Sequence, residues 1–160
     1  MAGYSSRVTL TRTADTNAYA ANDVLGAATG STAALTFTDL GPDVPHEIMV
    51  TTTKLLIRDT GVISGETSYR LYLYRITPPS ALGDNAAFDI PSGDRASLMG
   101  YLDLGTPVDL GSSLYVLTAQ QNVQLTPLGS SIYGYLVTNG AYTPSSARVY
   151  DLTLHATDIV

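Results

Sequence analysis

The sequence predicts an all-β fold: one antiparallel sandwich of jelly-roll type in a single domain. Three observations predict it. Val, Thr, Tyr, Leu and Ile gather in short runs separated by Gly, Pro, Asp, Asn and Ser, the pattern of strands and turns. No window carries the apolar stripe of an amphipathic helix. The 160 residues, 44% of them hydrophobic, suffice for one real core.

Taken in order, the first strand is expected over Arg7 to Thr13, where Val8 and Leu10 alternate with polar residues. Residues Met1 to Thr13 are alternatively an N-terminal arm, with the sandwich spanning 14–160. A weaker strand is expected over Ala18 to Leu25, a short one over Ala34 to Phe37, and a long one over Glu47 to Arg58. Tyr69 to Ile76 is the strongest, closed by Pro78 and Pro79, which cannot continue a central strand. Further strands are expected at Leu98 to Leu104, Leu114 to Leu117, Val123 to Leu125 and Ile132 to Thr138. The last, Arg148 to Ala156, sets Tyr150, Leu152 and Leu154 on one face and Asp151, Thr153 and His155 on the other. Helical turns are confined to Ser80 to Ala87 or Asp94 to Met99. About eight to ten strands suit a jelly roll, with an immunoglobulin-like sandwich as the runner-up. The similar stretches Thr106 to Tyr115 and Thr126 to Tyr133 read as two loop-to-strand junctions and not as a repeat.

Composition narrows function. With no Cys, disulfides, thiolate zinc sites and cysteine nucleophiles are excluded. No apolar run reaches the ~18–20 residues of a membrane-spanning helix. The N-terminus lacks the basic start and apolar stretch of a signal peptide, so synthesis in the cytoplasm is expected. A net charge of -6 argues against nucleic-acid binding. The 11 Tyr against 2 Phe and no Trp, with seven Arg to one Lys, is a composition found at protein interfaces; genomic bias gives the same picture.

No chemistry-bearing constellation emerges. His46 lies in a turn-like stretch and His155 on a polar strand face, with no G-x-S-x-G elbow to frame a nucleophile. Asp84, Asp89 and Asp94 share a loop, as calcium ligands do, but without EF-hand spacing, and Asp-rich loops arise from turn chemistry alone. Glu47 and Glu66 are the sole glutamates, and nothing pairs either with a second acid. The expectation is no enzyme, no metal and no cofactor.

Two sets of residues are expected to make contacts. On Tyr69 to Ile76, one face (Tyr69, Leu71, Leu73, Arg75) reads as core; Arg70, Tyr72 and Tyr74 on the other read as a subunit contact. The competing account packs Tyr72 and Tyr74 under a loop. Near the N-terminus, Tyr4, Arg7 and Arg12 precede any acidic residue, so a locally positive segment starts a negative chain.

Three stretches carry a resemblance: TNAYAANDVLG (Thr16 to Gly26), YRLYLYRITPPSALGDNAAFDIPSGDRASLMGYLDL (Tyr69 to Leu104) and SSIYGYLVTNGAYTPSSARVYDLTLHA (Ser130 to Ala156). The shared features are Tyr-x-x-x-Asp-x-x-Gly, a Leu/Tyr strand running into Pro-Pro and Asp-Asn-x-x-Phe, then Asp-Arg, and Tyr-Thr-Pro before the last strand. In order and spacing they resemble a family of small structural proteins of tailed bacteriophages. The resemblance implies a capsid decoration, or cement, protein: a jelly-roll homotrimer or dimer on the outer capsid surface, bridging subunits of the major capsid protein. The resemblance carries no catalytic motif; within such a protein, the locally positive N-terminal segment with Tyr4, Arg7 and Arg12 is the expected capsid contact. A trimeric fibre-tip or receptor-binding domain, a tail or connector subunit, and a carbohydrate-binding module are the alternatives. Against a fibre tip, the chain is expected to be complete from Met1; against a sugar platform, it has no Trp.

Overall fold

A computed structural model describes residues 2–159. Ten strands form in order: β1 (Gly3–Thr11), β2 (Val24–Leu25), β3 (Leu35–Phe37), β4 (Ile48–Arg58), β5 (Tyr69–Tyr74), β6 (Leu98–Leu104), β7 (Val108–Asp109), β8 (Leu114–Leu125), β9 (Ile132–Thr138) and β10 (Val149–Asp158). Among the described residues there is no helix.

The topology is that of a rolled ribbon. β1 pairs with β10, β2 and β3 with β9, β4 with β8, and β5 with β6, all antiparallel. Rolling that ribbon adds two junctions, β10 to β4 and β9 to β5. The result is a sheet in the order β1-β10-β4-β8-β7 facing a second in the order β2-β9-β5-β6, with β3 continuing the β2 edge. This is the jelly roll, and it excludes the immunoglobulin-like alternative.

Period-two order explains the core. Leu10 of β1, Val50, Leu55 and Ile57 of β4, and Tyr150, Leu152 and Leu154 of β10 meet Leu71 and Leu73 of β5 and Leu136 of β9 between the sheets. A second, smaller core lies outside the β2-β9-β5-β6 sheet. There the long 75–97 connection folds over Tyr74, Tyr135 and Val137, adding Leu82 and Phe88. β9 is thereby buried on both faces.

Several boundaries differ from expectation. β1 begins at Gly3, because pairing with β10 extends through Gly3, Tyr4, Ser5 and Ser6. Met1 of the anticipated arm lies outside the described residues. Ala18 to Leu25 yields only the two-residue β2 and a bridge from Tyr19 to Tyr142. Leu114 to Leu125 is one strand, since Gln120 and Asn122 take left-handed φ values of 62° and 48° and absorb extra residues as a bulge. Pro91 to Ser97 closes as successive turns, with Asp94 N bonding Pro91 O at 3.0 Å and Ser97 N bonding Asp94 O at 3.1 Å. β7 was not anticipated; two residues in a Pro-Gly context carry no periodicity.

Candidate functional site

The densest polar chemistry is buried at one end of the sandwich, where the segments after β1, β4 and β9 converge on the 75–97 connection. It has two halves. In the first, Arg12 is wholly enclosed. Its Nε donates to the Tyr19 hydroxyl (3.0 Å), and its second guanidinium nitrogen reaches Asp15 (2.8 Å) and Asp84 (3.5 Å). Asp84, 3% exposed, also accepts from the Tyr19 hydroxyl (2.5 Å), the Thr13 hydroxyl (3.0 Å) and the Gly26 amide (2.8 Å). Gly26 must be glycine here: a Cβ would lie 2.6 Å from that of Ala33 and 3.0 Å from the Asp84 amide.

In the second half, Arg148 grips Glu66 with two parallel bonds of 3.0 Å, and both side chains are fully buried. Asp59 stands 2.8 Å from Arg148 Nε but out of line with its N–H, so it supplies charge without a directed hydrogen bond. Glu66 also accepts from the Tyr69 hydroxyl (2.5 Å) and the Ile63 amide (3.0 Å). A hydroxyl chain then runs from Tyr69 to Tyr142 (3.1 Å) to Tyr150 (3.0 Å). The halves are joined where the Tyr19 and Tyr142 rings pack at 5.5 Å and Arg12 N donates to Arg148 O at 3.0 Å. Burial, above all, raises the ionisation of Tyr19, Tyr69, Tyr142 and Tyr150 above the ordinary phenol range, so all four are neutral donors.

This cluster is a fastening. Both guanidiniums, with Asp84 and Glu66, are mutually paired and closed to solvent, and only Asp15 and Asp59 at the rim keep some exposure. The histidines are elsewhere. His46 Nδ1 lies 2.7 Å from Val44 O, and His155 sits on the outer face of the five-stranded sheet; among the described residues neither bonds a serine, threonine or carboxylate through its ring. The three loop aspartates diverge: Asp84 joins the cluster, Asp94 accepts from Ser80 N (3.2 Å), and Asp89 accepts from Ile90 N (2.7 Å). Among the described residues no group of acids or histidines converges as a metal cage.

The anticipated contact residues separate. Arg12 is corrected outright: its enclosed side chain cannot meet a capsid. Arg7 is exposed on the outer face of β1 and pairs with Asp151 at 3.1 Å, while the Tyr4 hydroxyl donates to Asp158 at 3.0 Å. Tyr74 is also corrected. It is 0% exposed beneath the 75–97 connection and packs on Tyr135 at 5.9 Å. Tyr72 is half-buried by Phe88, stacked at 3.9 Å. This is the loop cover that the competing account offered; its apolar members, Leu82 and Phe88, could not be picked out beforehand because they stand isolated among Gly, Asp and Asn. Arg70 remains at the surface, bound to Asp103 at 2.8 Å and seated 4.4 Å from the ring centre of Tyr101, which the sequence reading did not single out.

The residues that carried the resemblance meet in space. Asp84 accepts from both Tyr19 and Gly26, Tyr142 packs on Tyr19, Asp23 accepts from Ala20 N (2.6 Å), and Phe88 caps Tyr72. The motifs therefore describe how this chain holds its loops.

No protein-family model and no curated protein matches the chain. Among solved structures it is similar to the capsid of Ralstonia phage GP4, at 14% identity over 99% of this chain and 84% of that one (TM-score 0.41). It is also similar to tomato aspermy virus, at 10% identity over 98% and 79% (TM-score 0.34), and to the Drosophila NLP core, at 11% identity over 97% and 99% (TM-score 0.32).

Proposed function

We propose that the chain is a structural protein of a tailed-phage particle, one that decorates the capsid and braces it by bridging neighbouring major capsid subunits as a homo-oligomer, a trimer in the first instance. The observation that carries the reading is the inward direction of its strongest polar chemistry. Two enclosed arginines, four tyrosines and two buried carboxylates tie the loops of one end into a rigid cap. A protein that braces a shell acts through rigid interface area, and this architecture supplies rigidity without a reactive site. The resemblance of the sequence to phage structural proteins supports the same reading.

Attachment is assigned to the outer face of β1, carried by Arg7, whereas Tyr4 on the same strand turns toward the core; the subunit contact is assigned to Arg70, Tyr72 and the neighbouring Tyr101. The test is to add purified protein to undecorated heads, measure co-sedimentation and image the particles. Saturable binding at regular positions on the outer shell is expected, weakened by Arg7→Glu. Absence from the head, with density at a tail or fibre, would overturn the reading in favour of a tail subunit or fibre tip.

A further inference from the structure

We infer that the outer face of the five-stranded sheet docks the acidic loop end of a second copy of this chain, in a head-to-tail contact. The contact is centred on the β4-β8 part of that face, around Lys54 and Leu117, leaves the β1 edge to the shell attachment proposed above, and does not depend on the capsid reading.

The outer sheet face is positively charged on a negative protein. Strand register places Arg7 of β1, Lys54 and Arg58 of β4, and Asp151 of β10 on it together. Asp151 is the sole carboxylate in this group and is itself 3% exposed. Both arginines converge on it, at 3.1 Å and 3.0 Å, so one negative charge answers two positive ones. Lys54 forms no ion pair among the described residues. Beside these cations the same face exposes apolar side chains, Leu117 at 53% opposite Lys54 and Val108 at 61% opposite Tyr115.

The far end of the sandwich has the opposite character. The segments before β4 and between β8 and β9, with the start of the 75–97 connection and the residues closing β10, enclose shallow depressions. These are lined by Asp43, Glu47 and Asp158, with Arg75 as the one guanidinium. Val44 and Leu128 stand exposed among them, at 55% and 47%.

Each surface thus joins an exposed apolar centre to a net charge of one sign, and the two net charges are opposite. Large exposed apolar groups rimmed by polar ones mark interaction sites. Matched potentials fix the register of partners and suppress wrong ones. One surface is the broad side of the sandwich and the other its end, so they cannot meet within one molecule. A contact between unlike patches of identical chains is heterologous: it closes as a ring or runs on as a row.

The test uses the full chain and a charge swap. Sedimentation velocity across a concentration series should show self-association at low salt that is lost in about 1 M salt, where screening acts within about 3 Å. Lys54→Glu with Leu117→Glu makes both surfaces acidic; Glu47→Lys with Leu128→Lys makes both basic. Each variant alone should associate at least about tenfold more weakly, a difference of about 1.4 kcal/mol. Mixed in equal amounts, they should associate again, because acidic face then meets basic end and basic face meets acidic end. All four positions lie at the surface outside the buried cluster, and far-UV circular dichroism checks that both variants fold. A wild-type chain that stays monomeric, association indifferent to both variants, or a mixture that does not recover would each overturn the inference. Head binding is measured separately, so failure of the capsid reading leaves this result intact.

Discussion

Arg148→Met should be among the most damaging single substitutions in this chain. The guanidinium makes two 3.0 Å bonds to Glu66 and lies 2.8 Å from Asp59, with its own side chain and that of Glu66 fully buried. Methionine fills much of the space but leaves the Glu66 carboxylate in the core with only the Tyr69 hydroxyl and the Ile63 amide. Removing one member of a buried pair costs about 3–5 kcal/mol, because the remaining charge has lost its solvent and its partner together. Against a total stability of roughly 5–15 kcal/mol, that is a large share. For a chain of this size it corresponds to a fall in melting temperature of roughly 6–20 °C. Asp59 suffers less, being 15% exposed and holding the Ser145 hydroxyl at 2.8 Å. Adding Glu66→Gln removes the stranded charge while keeping an acceptor for Tyr69 and Ile63. The double variant should therefore be more stable than the sum of the two single losses predicts. Urea and thermal unfolding followed by far-UV circular dichroism measure all three. A loss below about 1 kcal/mol for Arg148→Met, the range of exposed ion pairs, would refute the reasoning.

Three further outcomes follow from the same geometry. Burial raises the ionisation of Tyr19, Tyr69, Tyr142 and Tyr150, so their stabilisation is complete below the unfolded phenol value of about 10 and is lost as pH climbs past it; phenolate absorbance from these rings should appear only as the sheet signal collapses, and titration with the fold intact would contradict their burial. Leu73→Ala, between the sheets, should cost about 2–5 kcal/mol, and Tyr74→Ala, under the 75–97 connection, about 3–5 kcal/mol; a Tyr74→Ala chain of unchanged stability but weakened association would restore that ring to a subunit contact. Because Asp84, Asp89 and Asp94 point to three different partners, EDTA should leave the melting temperature unchanged; a drop of several degrees reversed by calcium would place a metal there.

What could be read from the chain alone was what alternation and punctuation encode. Tyr150, Leu152 and Leu154 announced a strand with one buried face because side chains on a strand alternate strictly, and β10 carries them inward. The ends of β6 and β9, Leu98–Leu104 and Ile132–Thr138, coincide with the expected ones, since apolar and aromatic residues fill both segments between clear breakers. The same local logic placed Leu71 and Leu73 in the core.

Tertiary structure decided everything that depends on which distant segments meet. Arg12 was an exposed basic residue by every local rule; it is enclosed because Tyr19, Asp15 and Asp84, the last 72 positions away, arrive around it. Arg148 and Glu66 pair across 82 positions, and neither neighbourhood shows a signal that it will be buried. Tyr74 and Leu73 are adjacent and alternate to opposite faces, yet both are fully buried, because the 75–97 connection returns over the sheet. A period-two pattern says which residues share a face. It cannot say whether that face meets solvent or a loop, because covering it depends on long-range closure and not on local preference.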